Sequence, residues 1–275
     1  MENKYRDTMF DMSSEIAIVT GGLGQLGAQF SLTMLEAGAK VVILDVAEST
    51  YNNKLKDLIS SDDNVTVMKV DITNKNDLVL ISKRICKEIG IPTILINNAA
   101  IDSPPNAPIE ENGPFETYPE KSWDKIIEVN LKSIFLTCQV FGGEMAKNMN
   151  GSIINVSSIY GMVSPNQKIY EYRRKNGAEF FKPITYSVSK SGIYNLTRYL
   201  AAYWAKKNVR VNTVTFAGVF NNQDKQFLEN YCSIIPLGRM ANEDEYNGAI
   251  LFLASKASEY MTGSNLVIDG GWTII

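Results

Sequence analysis

Ile16-Ala17-Ile18-Val19-Thr20-Gly21-Gly22-Leu23-Gly24-Gln25-Leu26-Gly27 is the stretch that decides the fold. Its first five residues read as a buried strand. The stretch from Gln25 to Ala37 reads as an amphipathic helix stopped by Gly38. Between them, Gly21, Gly24 and Gly27 make a turn whose backbone N–H groups can approach a pyrophosphate, and the helix N-terminus adds partial positive charge. A mere turn would not require glycine at every third residue. Strand, glycine turn and helix together predict a dinucleotide site opening an α/β domain.

Outward from that unit the rhythm repeats. Val41–Leu44, Val65–Val70, Thr93–Ile96, Ser152–Val156, Val209–Val214 and Asn265–Ile268 read as six further strands. Their apolar runs are continuous rather than alternating, as expected of strands covered on both faces. Helical patterns lie between them at Asn76–Ile89, at Ser122–Asn148 with Ser122 as N-cap, and at Thr185–Lys207 after Pro183. The expected fold is α/β: a Rossmann-like, doubly wound, seven-stranded parallel sheet with helices on both faces. It forms a single domain over residues 14–275, behind an N-terminal tail of residues 1–13. Two stretches break the rhythm, 102–120 and 162–182. Both follow strand C-termini, where ligands bind in such sheets.

Composition narrows the function. The chain has 275 residues, 45% hydrophobic and 21% charged, with a net charge of −3. No basic block dominates any segment, so neither nucleic acid nor an acidic membrane is an expected partner. Three cysteines at wide spacing (Cys86, Cys138 and Cys232) make no disulfide framework and no metal site, and imply a reducing compartment. The absence of histidine removes a Ser-His-Asp triad and any imidazole metal site. No apolar run approaches the roughly 18 residues that span a bilayer, and Met1–Asp11 is polar. These features give the expectation of a cytoplasmic protein without metal.

Asp45 ends the second strand, 18 positions after Gly27. A carboxylate there can accept hydrogen bonds from ribose hydroxyls and would repel a 2′-phosphate, so NAD is expected over NADP. A strand-end surface aspartate is the plainer alternative. Asp71, after the third strand, could receive the adenine amino group.

Taken in order, Thr20-Gly21, Asp71-Ile72, Asn97-Asn98-Ala99-Ala100, Asn130, Ser157-Ser158, Tyr186-Ser-Val-Ser-Lys190 and Asp269-Gly270-Gly271 resemble the short-chain dehydrogenase/reductase family from about Phe10 onward. The chain looks like the compact subtype that includes sugar and sugar-acid dehydrogenases. Asn195–Lys207 and Gly218–Gln223 also resemble flagellin-modifying and surface-sugar biosynthesis dehydrogenases. The resemblance implies Tyr186 as general acid/base, Lys190 as its electrostatic partner and Ser158 as the hydroxyl that orients the carbonyl, with Ser157 as the fallback. It implies Asn130 as holder of a relay water. Gly21, Leu23, Gly24, Gln25, Leu26, Asp45, Asp71, Ile72, Asn98, Ala99, Ala100, Tyr186, Lys190 and Val219 would hold the cofactor. It further implies a homodimer or homotetramer.

Elementary chemistry agrees. Tyr186 and Lys190 share one helix face at i and i+4. A free phenol has a pKa near 10; a nearby ammonium and a positive nicotinamide ring are expected to lower it toward working pH. Ser158 follows the fifth strand and can bond the oxygen that gains charge during hydride transfer.

Three departures qualify the match. Gln25 occupies the usual second-glycine position. Phe216-Ala217 replaces the usual Pro-Gly after the sixth strand. Ser158 and Tyr186 stand 28 positions apart, which leaves the insert 162–182 between them. With 102–120, that insert is expected to wall a substrate pocket, and its basic residues Lys168, Arg173, Arg174, Lys175 and Lys182 suggest an anionic sugar-like substrate. A surface loop or an oligomer contact is the alternative. The expected activity is hydride transfer between a nicotinamide cofactor and a secondary alcohol or ketone, in surface-glycan or flagellin modification on the narrower resemblance. The rivals are a sugar isomerase or dehydratase using bound NAD transiently, and a non-catalytic dinucleotide-binding protein.

Overall fold

Strand β1 (Ile16–Thr20) is the axis on which the rest is laid. Its side chains alternate between two cores: Ala17 and Val19 face one, Ile18 the other. Strand β2 (Lys40–Asp45) repeats the pattern, with Val41 and Ile43 on the first side and Val42 and Leu44 on the second. Both faces are therefore apolar, which explains the continuous hydrophobic runs. A computed structural model describes residues 9–50, 52–102, 108–177 and 179–275. The expected tail at 1–8, and 103–107 of the first insert, lie outside the described residues.

The remaining strands are β3 (Val65–Lys69), β4 (Ile94–Asn97), β5 (Gly151–Ser158), β6 (Val209–Phe216) and β7 (Asn265–Ile268). All pair in parallel, in the order β3-β2-β1-β4-β5-β6-β7. Chain progression reverses between β1 and β4, which opens a crevice at the carboxyl edge.

Helices α1 (Gln25–Glu36), α2 (Asn53–Ser61) and α9 (Asn247–Ala254) cover the first face through Phe30, Leu55 and Ile250. Helices α3 (Lys75–Glu88), α4 (Glu120–Ile127), α5 (Ser133–Thr137), α6 (Gly143–Lys147) and α7 (Ile184–Trp204) lie on the second, whose core includes Leu78, Ile85, Ile134, Met145, Ile193 and Trp204. The result is the Rossmann-like single domain expected. Among the described residues, no helix is long and apolar enough to cross a membrane.

Three expectations need correction. The helix placed at 122–148 starts at Glu120, because Pro119 supplies extended backbone at the N-cap and Glu120 complements the first-turn dipole. It is also broken by π-helical turns at Glu128–Lys132 and Cys138–Gly142. Helix α2, the helix α8 (Lys225–Cys232) and α9 were not expected from the sequence pattern. Of the nine α2 residues only Leu55 is buried, so its apolar period is faint; an Asn52 cap accepting from Leu55 N starts it instead.

The insert folds as a small satellite. A 3₁₀ turn (Gln167–Tyr170) and a short helix (Glu171–Lys175) carry Tyr170 against Phe180 and Phe227, with ring centroids 4.8 and 5.8 Å apart. Asp224 caps α8 and also accepts from Tyr172 Oη at 2.6 Å and Arg173 at 3.1 Å, fastening the insert to that helix.

Candidate active site

Two adjoining cavities open at the carboxyl edge. The larger, about 650 Å³, runs along the glycine turn to the ends of β2 and β3. Gly21, Leu23, Gly24, Gln25 and Leu26 line one side, Asp45, Asp71 and Ile72 the far end, and Asn98, Ala99 and Ala100 the floor. All eleven residues expected from the sequence to hold the adenosine and pyrophosphate part of a cofactor are thus brought together.

The glycines do different jobs. Gly21 has φ +63°, and a Cβ there would lie 2.9 Å from Ala99 Cα. A Cβ on Gly27 would lie 2.0 Å from Gly21 O, so helix and turn could not pack. Gly24 differs: it is exposed and in extended conformation, and its nearest neighbour would be 3.5 Å away. The fold does not require glycine there, and its absent side chain leaves the backbone at the N-terminus of α1 open to a ligand. Asp45 Oδ2 accepts from Leu23 N at 3.0 Å and Oδ1 from Ala47 N at 2.9 Å. The carboxylate holds the turn while each oxygen keeps a second lone pair. Asp71 Oδ1 is turned to Thr73, accepting from its N at 2.9 Å and Oγ1 at 2.7 Å. Asn98 Nδ2 ties the floor to the turn, donating to Thr20 O and Gly21 O at 3.2 Å each. Residues present along this cleft fit a dinucleotide.

The second cavity, about 350 Å³, shares Leu26, Asn98 and Ala100 with the first. Ser158, Tyr186, Lys190 and Val219 line it. Ser158 ends β5 and accepts from Tyr160 N at 3.3 Å. Ser158 and the Tyr186 phenol line the same cavity. Ser157 lines it too, and its Oγ donates to Lys190 O at 3.0 Å. Lys190 is 2% exposed. Its Nζ donates to Val156 O at 3.0 Å and lies 5.7 Å from the centre of the Tyr186 ring. Burial brings that ammonium down to about 8, partly opposed by the Asp102 carboxylate.

Without the nicotinamide ring expected to help lower it, the Tyr186 phenol is pushed above the usual 10, first by burial and then by the Asp102 carboxylate, with the Ser158 hydroxyl a partial offset. Desolvation outweighs the ammonium, so without cofactor the group is a protonated acid.

Asn130 does not reach either cavity wall. It is fully buried in the first π-helical turn. Its Oδ1 accepts from Ile101 N and its Nδ2 donates to Ile101 O, both at 2.8 Å, with Ser189 Oγ at 3.3 Å. The amide is engaged there, and Asn130 fixes the chain leaving β4.

Arg173 and Arg174 also lie elsewhere. Arg173 is spent on Asp224 and Tyr172. Arg174 donates to Phe180 O and Gln167 O at 2.7 Å each. The cation that the insert does bring to the cavity is Lys182, paired with Asp102.

A sequence profile described as enoyl-(acyl carrier protein) reductase matches residues 23–273. The chain belongs to the short-chain dehydrogenase/reductase family. It is an oxidoreductase acting on alcohols. It is 31% identical to an NAD-dependent glycerol dehydrogenase of Listeria innocua over 98% of this chain and 97% of that one. It is 30% identical to a ribulose-forming D-arabinitol 2-dehydrogenase of Candida tropicalis, over 96% and 94%. Among solved structures, a short-chain dehydrogenase from Leptospira borgpetersenii with bound NAD+ superposes with a TM-score of 0.84 at 32% identity, over 99% and 96% of the chains.

The departures from the short-chain dehydrogenase/reductase pattern meet in space. Gln25 Nε2 crosses from the glycine turn to donate to Phe220 O at 2.9 Å. Phe216 stacks on Tyr246 at 3.9 Å between ring centres, and neither it nor Ala217 takes a positive φ. Val219 bridges to Ala241, and its carbonyl accepts from Gln223 Nε2 at 2.8 Å. Packing and side-chain bonds shape this segment where proline and glycine usually do. Tyr160 and Tyr170, beside and within the insert expected to wall the pocket, do line the cavity; sequence reasoning missed Phe227 and Tyr231 there. Those two sit on α8, outside the insert, and only the docking of that helix against Tyr170 brings them to the wall.

Proposed function

We propose that this enzyme transfers a hydride between NAD(H) and a secondary alcohol or ketone of a polyol or sugar, with Tyr186, Ser158 and Lys190 as the catalytic set. One observation carries the reading: Tyr186, Ser158 and Lys190 line one cavity, which shares Leu26, Asn98 and Ala100 with the dinucleotide cleft. When bound, the nicotinamide supplies the hydride chemistry. Tyr186 donates the proton to a carbonyl oxygen in reduction and, once ionised, removes it from the hydroxyl in oxidation. Ser158 supplies a hydroxyl hydrogen bond to the substrate oxygen. Lys190 holds positive charge behind the phenol and is the candidate to steady the nicotinamide ribose.

Asp45 at the end of β2 supports NAD over NADP, because a 2′-phosphate would meet a carboxylate. The names of the polyol dehydrogenases above support a polyhydroxylated substrate; nothing in them supports surface-glycan or flagellin modification. The same reading includes a homodimer or homotetramer in the cytoplasm. Phe135 on α5, with Tyr199 and Tyr203 on α7, is 47%, 64% and 67% exposed respectively, as an apolar contact face would be.

Fluorescence titration with NADH and NADPH, followed by turnover of a panel of alditols and sugar acids, tests the proposal. Tyr186→Phe should abolish turnover while NADH still binds. A wild-type preference for NADPH would overturn the role given to Asp45, and full activity in Tyr186→Phe would overturn the catalytic assignment.

A further inference from the structure

Asp102 and Lys182 stand on opposite inserts and meet across the catalytic cavity. Lys182 Nζ pairs with Asp102 Oδ2 and lies 5.3 Å from the centre of the Tyr186 ring. The Lys182 side chain is 9% exposed and that of Asp102 43%. Both ends are anchored. Gln167 grips the backbone of Lys182 twice, its Oε1 accepting from Lys182 N at 2.9 Å and its Nε2 donating to Lys182 O at 3.0 Å. Asn130 grips Ile101, the residue before Asp102, in the same two-bond manner. The pair is thus a built part of the wall and not a chance surface contact.

Charges in this cavity are few. Among the described lining residues, the formally charged ones are Asp102, Lys182 and Lys190. Lys190 lies at the floor and donates to Val156 O. The charge of Lys182 is balanced by Asp102. Around them stand uncharged groups, among them Tyr160, Tyr170, Gln223 and Phe227.

We infer that the Asp102–Lys182 pair sets substrate charge: the cavity takes an uncharged polyhydroxylated alcohol and discriminates against the matching carboxylate, with Asp102 as the discriminating residue. This rests on the polyol-dehydrogenase reading above and narrows it. A substrate carboxylate would have to displace Asp102 from Lys182 or sit beside it, and like charges in a partly desolvated cavity repel strongly. Hydroxyl groups meet no such penalty. Each can donate to a carboxylate or accept from an ammonium without changing the charge of the wall. The aromatic rings offer apolar faces for the carbon chain. The anionic substrate suggested by the basic insert is therefore replaced by a neutral one, because Arg173 and Arg174 are spent within the satellite and Lys182 is paired with Asp102.

The test is kcat/KM, at saturating NAD, for an alditol and for the aldonate of the same carbon number. Wild type, Asp102→Asn and Lys182→Met are compared, with thermal melts to verify folding. Wild type should favour the alditol. Asp102→Asn should move the alditol-to-aldonate ratio toward the acid by about tenfold or more, while Lys182→Met moves it the other way by a similar factor. A wild type that prefers the aldonate, or a folded Asp102→Asn with an unmoved ratio, overturns the inference and leaves polyol oxidation standing. A wild type that turns over neither member of any pair removes the parent reading, and this one with it.

Discussion

At Tyr186 two opposing influences decide the direction of chemistry. Burial and Asp102 hold the phenol above its usual range, while Lys190 keeps an ammonium 5.7 Å from the ring. A phenol held high is ready to give a proton and reluctant to take one. Alcohol oxidation should therefore speed up as pH rises and more phenolate forms. The rise should slacken near pH 8, where Lys190 loses its own proton. Carbonyl reduction should be nearly flat over the same range. Initial rates in both directions between pH 6 and 9 test this; a flat oxidation profile would contradict it. Lys190 itself makes a stability prediction. Its folded-state value of about 8 lies below the ordinary 10.5. The folded protein therefore binds fewer protons than the unfolded chain between those values. The cost of the buried charge is complete below pH 8, shrinks as pH rises, and is gone above 10.5. Relative to Lys190→Met, wild type should gain on the order of 1–3 kcal/mol of stability across that window, measured by denaturant melts at a series of pH values.

Among the elements, the glycine turn and the insert make separate demands. Gly27→Ala places a methyl group 2.0 Å from Gly21 O and should prevent folding. Gly24→Ala meets nothing nearer than 3.5 Å and should fold normally, yet weaken NADH binding by roughly tenfold, because only the ligand needs that space. Melting and NADH titration of the two variants separate these outcomes. Asp224→Ala would release both Tyr172 and Arg173, loosening the satellite that presents Lys182. It should raise KM for the alcohol several-fold and leave NADH affinity unchanged. This division also marks what the sequence could reveal. Seven strands were legible because each carries its own apolar run, and the glycine turn because its steric needs are local. Tyr186 and Lys190 were legible because i,i+4 spacing is local too. The Lys182–Asp102 pair was not, since 80 residues separate its partners and only the docking of two inserts unites them. Nor was the commitment of Arg173 and Arg174, which are indistinguishable by charge from Lys182 until Asp224, Phe180 O and Gln167 O claim them.

For the whole molecule, the two cavities make cofactor and substrate binding one event on one sheet edge. The glycine turn and the ends of β2 and β4 border the cleft, and the 216–223 segment reached by Gln25 borders the adjoining cavity. A dinucleotide lying there would tie together elements from both halves of the sheet. It should then stabilise global folding, since it binds the folded state and has no site in the unfolded chain. At about 100 times Kd the gain is about 2.7 kcal/mol, which for a chain of this size corresponds to a melting-point rise of roughly 5–10 °C. NADH should produce that shift and NADPH at the same concentration a smaller one, because only the 2′-phosphate meets Asp45. Asp45→Ser should narrow the gap from both sides, weakening the hold on the ribose and removing the repulsion. Differential scanning fluorimetry with each nucleotide reads this directly. Equal shifts for the two nucleotides in wild type would mean that the carboxylate at the end of β2 serves the turn through Leu23 N alone and takes no part in choosing the cofactor.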